Sequence, residues 1–304
     1  MEKGLRSLRK FNTLSELHRV LGQPKPLHPM ISLIDLSVGQ MLPDQTFKSF
    51  ATAFYQIVYK PNIHGMAKYG QSHYDFAEGG LIFSAPNQVF EAPPRSKKSG
   101  YVLSIHPDFL LSYPLAKKIK QCAFFSYAAN EALHLSDLEK ETIMSVFKII
   151  DDELKNRIDD FSHEVIISQL ELLLNYCNRF YKRQFITRKA INNDLLAKME
   201  EILDDHFNAA EHLGKALPTV QDLAEQLNTS PGYLSDMLRS LTGQNTQQHI
   251  HNKLIDKAKE KLSATENSIS EIAYLLGFEH PQSFSKLFKA KTNVSPSEFR
   301  QSFN

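Results

Sequence analysis

Cysteine is scarce in this 304-residue chain, with only Cys122 and Cys177 present. Two thiols so far apart form neither a disulfide framework nor a zinc-ligand spacing, so they read as ordinary packed thiols. Long apolar runs are missing as well. No stretch approaches the roughly 20 residues of a membrane span, and the polar start Met1-Glu2-Lys3-Gly4 lacks the apolar core of a signal peptide. A cytoplasmic location without membrane association is therefore expected. Charge of neither sign dominates: 35 Lys+Arg stand against 34 Asp+Glu, and with 42% hydrophobic residues this describes an ordinary soluble protein with room for two domains. Catalytic motifs are wanting too. There is no Ser/His/Asp arrangement, no Gly-rich phosphate loop and no His-x-His pair in the strand-rich region. His64 and His73 lie nine apart, followed by Asp75 and Glu78, a grouping that favours loop or surface residues over a metal site. No catalytic residue, metal or cofactor is expected, and the chain reads as something other than an enzyme.

What the chain does have is an internal duplication. Asp222 to Leu227 aligns with Glu271 to Leu276 at an offset of 49 (Ala224 to Ala273), and Ser230 to Leu238 aligns with His280 to Phe288 at an offset of 50 (Leu234 to Phe284). The match continues through Thr242 with Thr292 and Thr246 with Pro296. Two copies of one supersecondary unit are implied. In the first, Leu223, Ala224 and Leu227 define a short helix that Asn228 and Thr229 break. Ser230-Pro231 then reads as N-cap and first helical position. Leu234, Met237, Leu238 and Leu241 form the buried stripe of the next helix, Gly232, Tyr233, Ser235, Asp236 and Arg239 lie on or near the opposite surface, and Gly243 stops it. In the second copy Gly277 permits a left-handed turn and Phe284, Leu287 and Phe288 anchor the second helix, leaving His280, Gln282, Ser285, Lys286 and Lys289 outward. This is helix-turn-helix geometry twice over. Between the copies, Ile250, Leu254, Ala258 and Leu262 predict one helix from Asn245 to Leu262, a rigid spacer able to set two recognition helices about one duplex turn apart.

The run Gly277-Phe278 through Ser283-Phe284-Ser285-Lys286-Leu287-Phe288-Lys289, ending in Val294-Ser295-Pro296 and Phe299-Arg300, resembles the C-terminal signature of AraC/XylS-type transcription regulators. The resemblance covers residues 195 to 302 and implies a sequence-specific regulator of double-stranded DNA. By position, its base-reading surface falls on Gly232, Ser235 and Asp236, with Tyr233 and Arg239 close by. In the second motif it falls on Pro281, Gln282, Ser285 and Lys286, flanked by His280 and Lys289. Gln suits adenine, Lys guanine, and Asp the cytosine amino group. Lys289, Lys291, Arg300 and the spacer-helix lysines read as phosphate contacts or solvated charge. The chain departs from the family pattern at Asp236, where a basic residue is common, and at Asn293, where glycine is. Residues 191–304 carry 11 Lys+Arg against 15 Asp+Glu, formally −4; up to Gly243 the balance is −6 and from Gln244 it is +2. Weak, salt-sensitive binding is expected of the isolated C-terminal part, with dimerisation compensating.

Residues 29 to 106 read as short strands: Ile31-Ser32-Leu33, Leu36-Ser37-Val38, Phe50 to Tyr59, Leu81-Ile82-Phe83 after the Gly79-Gly80 turn, and Tyr101 to Ile105. Such strands suit a small barrel or sandwich, and the resemblance makes this a cupin-like sensor barrel. Phe54, Tyr55, Tyr74 and Phe83 suit either a binding pocket or plain core. His106-Pro107-Asp108 starts a short helix, and two long helices follow, Leu138 to Leu154 and Ser162 to Tyr181, whose apolar stripes are expected to bury against each other. The resemblance makes this pair a dimerisation hairpin, against the alternative of a purely intramolecular one. The expected architecture is thus α+β: an N-terminal arm (1–28), a cupin-like sensor and dimerisation domain (29–181), a basic linker (182–191) and an all-α domain of two helix-turn-helix motifs joined by a linker helix (192–304). The function implied is a homodimeric regulator, more often an activator that engages RNA polymerase, with a small-molecule effector. The rivals are a cupin-type metal-dependent enzyme fused to a DNA-binding domain, and a ligand-independent regulator whose barrel is only a dimerisation platform.

Overall fold

The computed structural model describes residues 8–38, 49–61, 68–69, 72–73, 79–91, 99–156, 159, 161–208 and 216–302. The chain divides into two compact units, Met1–Gln184 and Phe185–Asn304. His64, Tyr74, Asp75 and Glu78 lie outside the described residues, as does the side chain of His73.

The first unit is α+β. Strands β1 (Leu8–Phe11), β3 (Ser49–Thr52) and β8 (Val89–Glu91) form one sheet in the order β1-β3-β8. A second sheet, ordered β10-β7-β4-β9-β2, contains β2 (Ile31–Asp35), β4 (Tyr55–Lys60), β7 (Gly80–Ser84), β9 (Tyr101–Ile105) and β10 (Leu133–His134). Strands β5 (Lys68–Tyr69) and β6 (Ser72–His73) pair separately. Among the described residues these sheets do not close into the expected barrel: β2 and β10 are edges. Two local causes are visible. Leu36-Ser37-Val38 does not extend β2, because the Asp35 carboxylate accepts the Ser37 amide and hydroxyl at 2.8 and 2.6 Å and turns the chain. The run from Phe50 to Tyr59 is split between two sheets at Ala53-Phe54: the Ala53 amide makes the last bond of the β1–β3 ladder, to the Phe11 carbonyl at 2.9 Å, and the chain then passes to β4 in the second sheet.

The described part of the N-terminal segment is packed. Helix α1 (Leu14–Val20) is opened by a capping box between Thr13 and Glu16, and Phe11, Leu14, Leu17 and Val20 pack with Phe54. Phe54, Tyr55 and Phe83 are buried among core residues. Tyr55 meets Phe125 edge-on at 5.0 Å, and Phe83 lies 4.5 Å from Phe124 and 5.9 Å from Tyr181. Gly100, at φ +114°, passes so close to β4 that a Cβ there would sit 2.0 Å from the Tyr59 carbonyl oxygen, so no other residue fits.

After a 3₁₀ turn at Pro107–Leu110, capped by His106, come α2 (Leu115–Lys118), α3 (Asp137–Lys155) and α4 (Ser162–Thr187). The α3 stripe (Ile143, Val146, Phe147, Ile150) is buried, with Phe147 6.4 Å from Tyr101 of β9. That of α4 is buried too, and Tyr181 stacks on Phe124 at 5.6 Å. Each stripe reaches the sheet, through Phe147 beside Tyr101 and Tyr181 beside Phe83. The two helices are joined by Arg183, whose Nε donates to Glu139 at 3.0 Å. The basic run expected as a linker is helical: α4 continues to Thr187 and α5 (Lys189–Asn208) starts two residues later. Its start is anchored because buried Gln184 accepts from the His134 amide at 2.8 Å and donates to the Ala132 carbonyl at 3.2 Å. Both cysteines are buried free thiols, and burial pushes both up. No described helix is long and apolar enough to cross a membrane.

Candidate nucleic-acid interface

The duplication in the sequence is reproduced element by element in the second unit. The first copy comprises α6 (Val220–Gln226) and α7 (Pro231–Thr242), the second α9 (Ile269–Leu275) and α10 (Pro281–Thr292). Each first helix is opened by a capping box, Thr219 with Asp222 and Ser268 with Glu271. Each is closed by a left-handed residue, Asn228 (φ 53°) and Gly277 (φ 88°). The amide after that residue reaches back to the same carbonyl, Thr229 to Ala224 at 2.9 Å and Phe278 to Ala273 at 3.0 Å. Both second helices begin with proline and end on a left-handed cap, Gly243 (φ 77°) and Asn293 (φ 65°). Asparagine takes the position where glycine is more usual because its short polar side chain tolerates that conformation.

The linker helix α8 (Thr246–Ala264) starts at the Asn245–Gln248 capping box and buries Ile250, Leu254, Ala258 and Leu262 as their spacing requires. Leu254, Ala258 and Leu262 join Ile272, Ala273, Leu276, Phe284 and Phe288 in one core, closed by Phe278 and Phe299. A last helix, α11 (Pro296–Gln301), is capped by Ser295 with Glu298.

Three of these boxes give a pH dependence. Asp222, Glu271 and Glu298 accept from the backbone and hydroxyl of Thr219, Ser268 and Ser295, which holds each carboxyl below its ordinary value. A depressed folded-state value stabilises above the unfolded carboxylate range, around pH 4, and that stability is lost as pH falls further. Acid titration of unfolding should show this loss in the second unit. The triple variant Asp222→Asn, Glu271→Gln, Glu298→Gln should flatten it; an unchanged acid slope would refute the assignment.

The candidate reading residues are not equally presented. On α10, Gln282 and Lys286 are exposed, Ser285 and Pro281 half-exposed, and His280 exposed at an N-cap its side chain does not make. Lys289 is exposed and within electrostatic reach of Glu298. On α7, Gly232 is half-exposed, but Tyr233 corrects the surface expectation: it is 4% exposed and meets Phe185 edge-on at 5.2 Å. The Phe185 ring, in the last turn of α4, covers that helical position, and helical periodicity carries no sign of it. Ser235 shares a hydrogen bond of 3.0 Å with the buried Thr246 hydroxyl. Asp236 pairs with Arg239, Oδ1 to Nη1 2.7 Å. Among the residues read as phosphate contacts, Arg300 instead donates from Nε to the Leu262 carbonyl at 3.3 Å, and Lys253 pairs with Asp204 of α5.

This is a tandem helix-turn-helix domain, and residues 223–302 match the family described as a helix-turn-helix domain. The HTH-type transcriptional activator RhaS of Salmonella paratyphi B is 33% identical over 143 residues, 46% of this chain and 46% of that protein. The chain thus spans about half the length of the curated relatives it matches. Among solved structures, the C-terminal domain of the two-component response regulator yesN from Fusobacterium nucleatum is 32% identical, with TM-score 0.29, covering 33% of this chain and 96% of that one. The C-terminal domain of AraT, a response regulator from Geobacillus stearothermophilus, is 30% identical, with TM-score 0.32, covering 36% and 84%.

Proposed function

We propose that this protein is a dimeric, sequence-specific transcription regulator whose first unit senses a small molecule. The observation that carries the DNA reading is the doubled motif itself, with Gln282 and Lys286 exposed on a helix held from beneath by Phe284 and Phe288. Selection of bound fragments from random duplex DNA by the full chain tests it. Enrichment of one motif is expected, and a pool that stays random would end the proposal. The regulated outcome we favour is activation, through contact with RNA polymerase, since RhaS carries that description.

Dimerisation is supported by the outer side of α4. Val165, Leu172 and Ile186 are exposed and fall on one heptad position, which Arg179 interrupts, and Phe161 is exposed just before the helix. Apolar residues at that period suit a partner helix. Leu172→Glu should convert a dimer to a monomer in sedimentation velocity while leaving far-UV circular dichroism intact; an unaltered sedimentation coefficient would move the interface elsewhere.

Sensing is supported by a feature the strand pattern did not reveal. Ser32, Ser104, Gln56 and Ser84 stand in register across β2, β9, β4 and β7, and all four are buried. Gln56 Nε2 donates to Ser104 Oγ at 3.2 Å, and the Ser32 hydroxyl has no partner among the described residues. Buried polar groups ordinarily find hydrogen bonds, so a small polar molecule suits this row. A thermal-shift screen of neutral polar metabolites that leaves the protein unmoved would favour a platform role for the unit.

A further inference from the structure

Resting on the DNA-binding reading, we propose that Asp236 is a specificity-determining residue that acts through Arg239, withholding its guanidinium from phosphates and committing the pair to a G·C base pair.

The two second helices differ most in charge. Helix α10 carries Lys286, Lys289 and Lys291 and no acid, whereas α7 carries one cation, Arg239, and one anion, Asp236. By the repeat offset of 50, Asp236 occupies the place of Lys286 and Arg239 that of Lys289. An acid thus stands one turn before the arginine where the sister helix has a second base. The geometry uses it: Arg239 Nη1 lies 2.7 Å from Asp236 Oδ1, with both side chains still partly in water, at 54% and 28% exposure. Of the neighbouring candidates, Tyr233 is buried and Ser235 is engaged with Thr246.

Partial exposure keeps the ion pair exchangeable, because such pairs are weak in water. What replaces it depends on the acceptor. A phosphate oxygen could take the guanidinium only by bringing the Asp236 carboxylate into the negative field of the backbone. A base-pair edge has no such conflict: guanine offers O6 and N7 to arginine, and the cytosine amino group donates to a carboxylate. One G·C pair therefore satisfies both members, while the backbone satisfies one and repels the other. Helix α10, through Lys289 and Lys291, supplies attraction to any duplex, and the α7 pair contributes only in register.

The test uses the full chain, a duplex enriched from a random pool, and a scrambled duplex of equal length and composition, each titrated by fluorescence anisotropy over a range of salt. In Asp236→Ala, and in the near-isosteric Asp236→Asn, Arg239 is released. The slope of log affinity against log salt on scrambled DNA should steepen by about 0.9, the value of one added phosphate contact. Preference for the enriched duplex should narrow, and selection should lose one G·C position. Adding Arg239→Ala should restore the wild-type slope. An unchanged slope in both single variants, or a steepening that persists without Arg239, overturns the proposal and leaves the DNA reading standing. Failure of the wild type to enrich any sequence removes both.

Discussion

Phe288→Ala is expected to destabilise the second unit by about 3–5 kcal/mol, the usual cost of truncating a fully buried aromatic ring. Phe288 has no exposed surface and links two further rings, Phe284 at 5.8 Å and Phe299 at 5.5 Å. It therefore ties α10 to α11 as well as to the core beneath α8. Since domains hold only about 5–15 kcal/mol in total, this one ring accounts for a large share. Urea unfolding of the full chain, followed by hydrogen exchange in α10, should show early loss of protection there. Protection in β4 and β9 should stay as in the wild type, because those strands belong to the other unit. Wild-type exchange in α10 would mean the ring is not packed as described.

Gln282→Ala and Lys286→Ala should each cost about 1–3 kcal/mol of discrimination at one base position. Both side chains are exposed, neither is needed by the core, and a fold effect is therefore excluded by design. Selection from random DNA should return a motif relaxed at a single position per variant, an adenine for Gln282 and a guanine for Lys286. If affinity instead falls evenly on all sequences and the salt slope drops by about one, the two residues are backbone anchors. Position-specific loss with unchanged salt slope would fix α10 as the reading helix.

Much of the second unit was legible because its signals are local. Serine before proline, glycine or asparagine at a left-handed stop, and leucines every four residues act within one or two turns. Ser230, Gly243, Gly277 and the α8 stripe accordingly stand as their spacing required. The α7 surface was less legible. Helical periodicity separates inside from outside, yet it carries no information about which other element comes to cover an outer position. Tyr233 is covered by Phe185 from 48 positions away in sequence, and Ser235 by Thr246.

The first unit was harder still, since alternation identifies strands but not their partners. The split of the Phe50–Tyr59 run, the parallel pairing of β1 with β3 and the row from Ser32 to Ser84 all depend on contacts between distant segments. Serines scattered through apolar strands were the available signal for that row. A single serine in a strand is unremarkable, and only register places four polar residues side by side.

By itself, then, the sequence determined the twin helix-turn-helix units, their caps and the spacer between them, because capping and 3.6-residue periodicity are short-range physics written within each repeat. Only the tertiary structure decided which outward side chains remain available, that Asp236 holds Arg239, and that a polar row lies buried in the sheet. Those outcomes follow from long-range packing, in which a residue's neighbours are chosen by the whole fold.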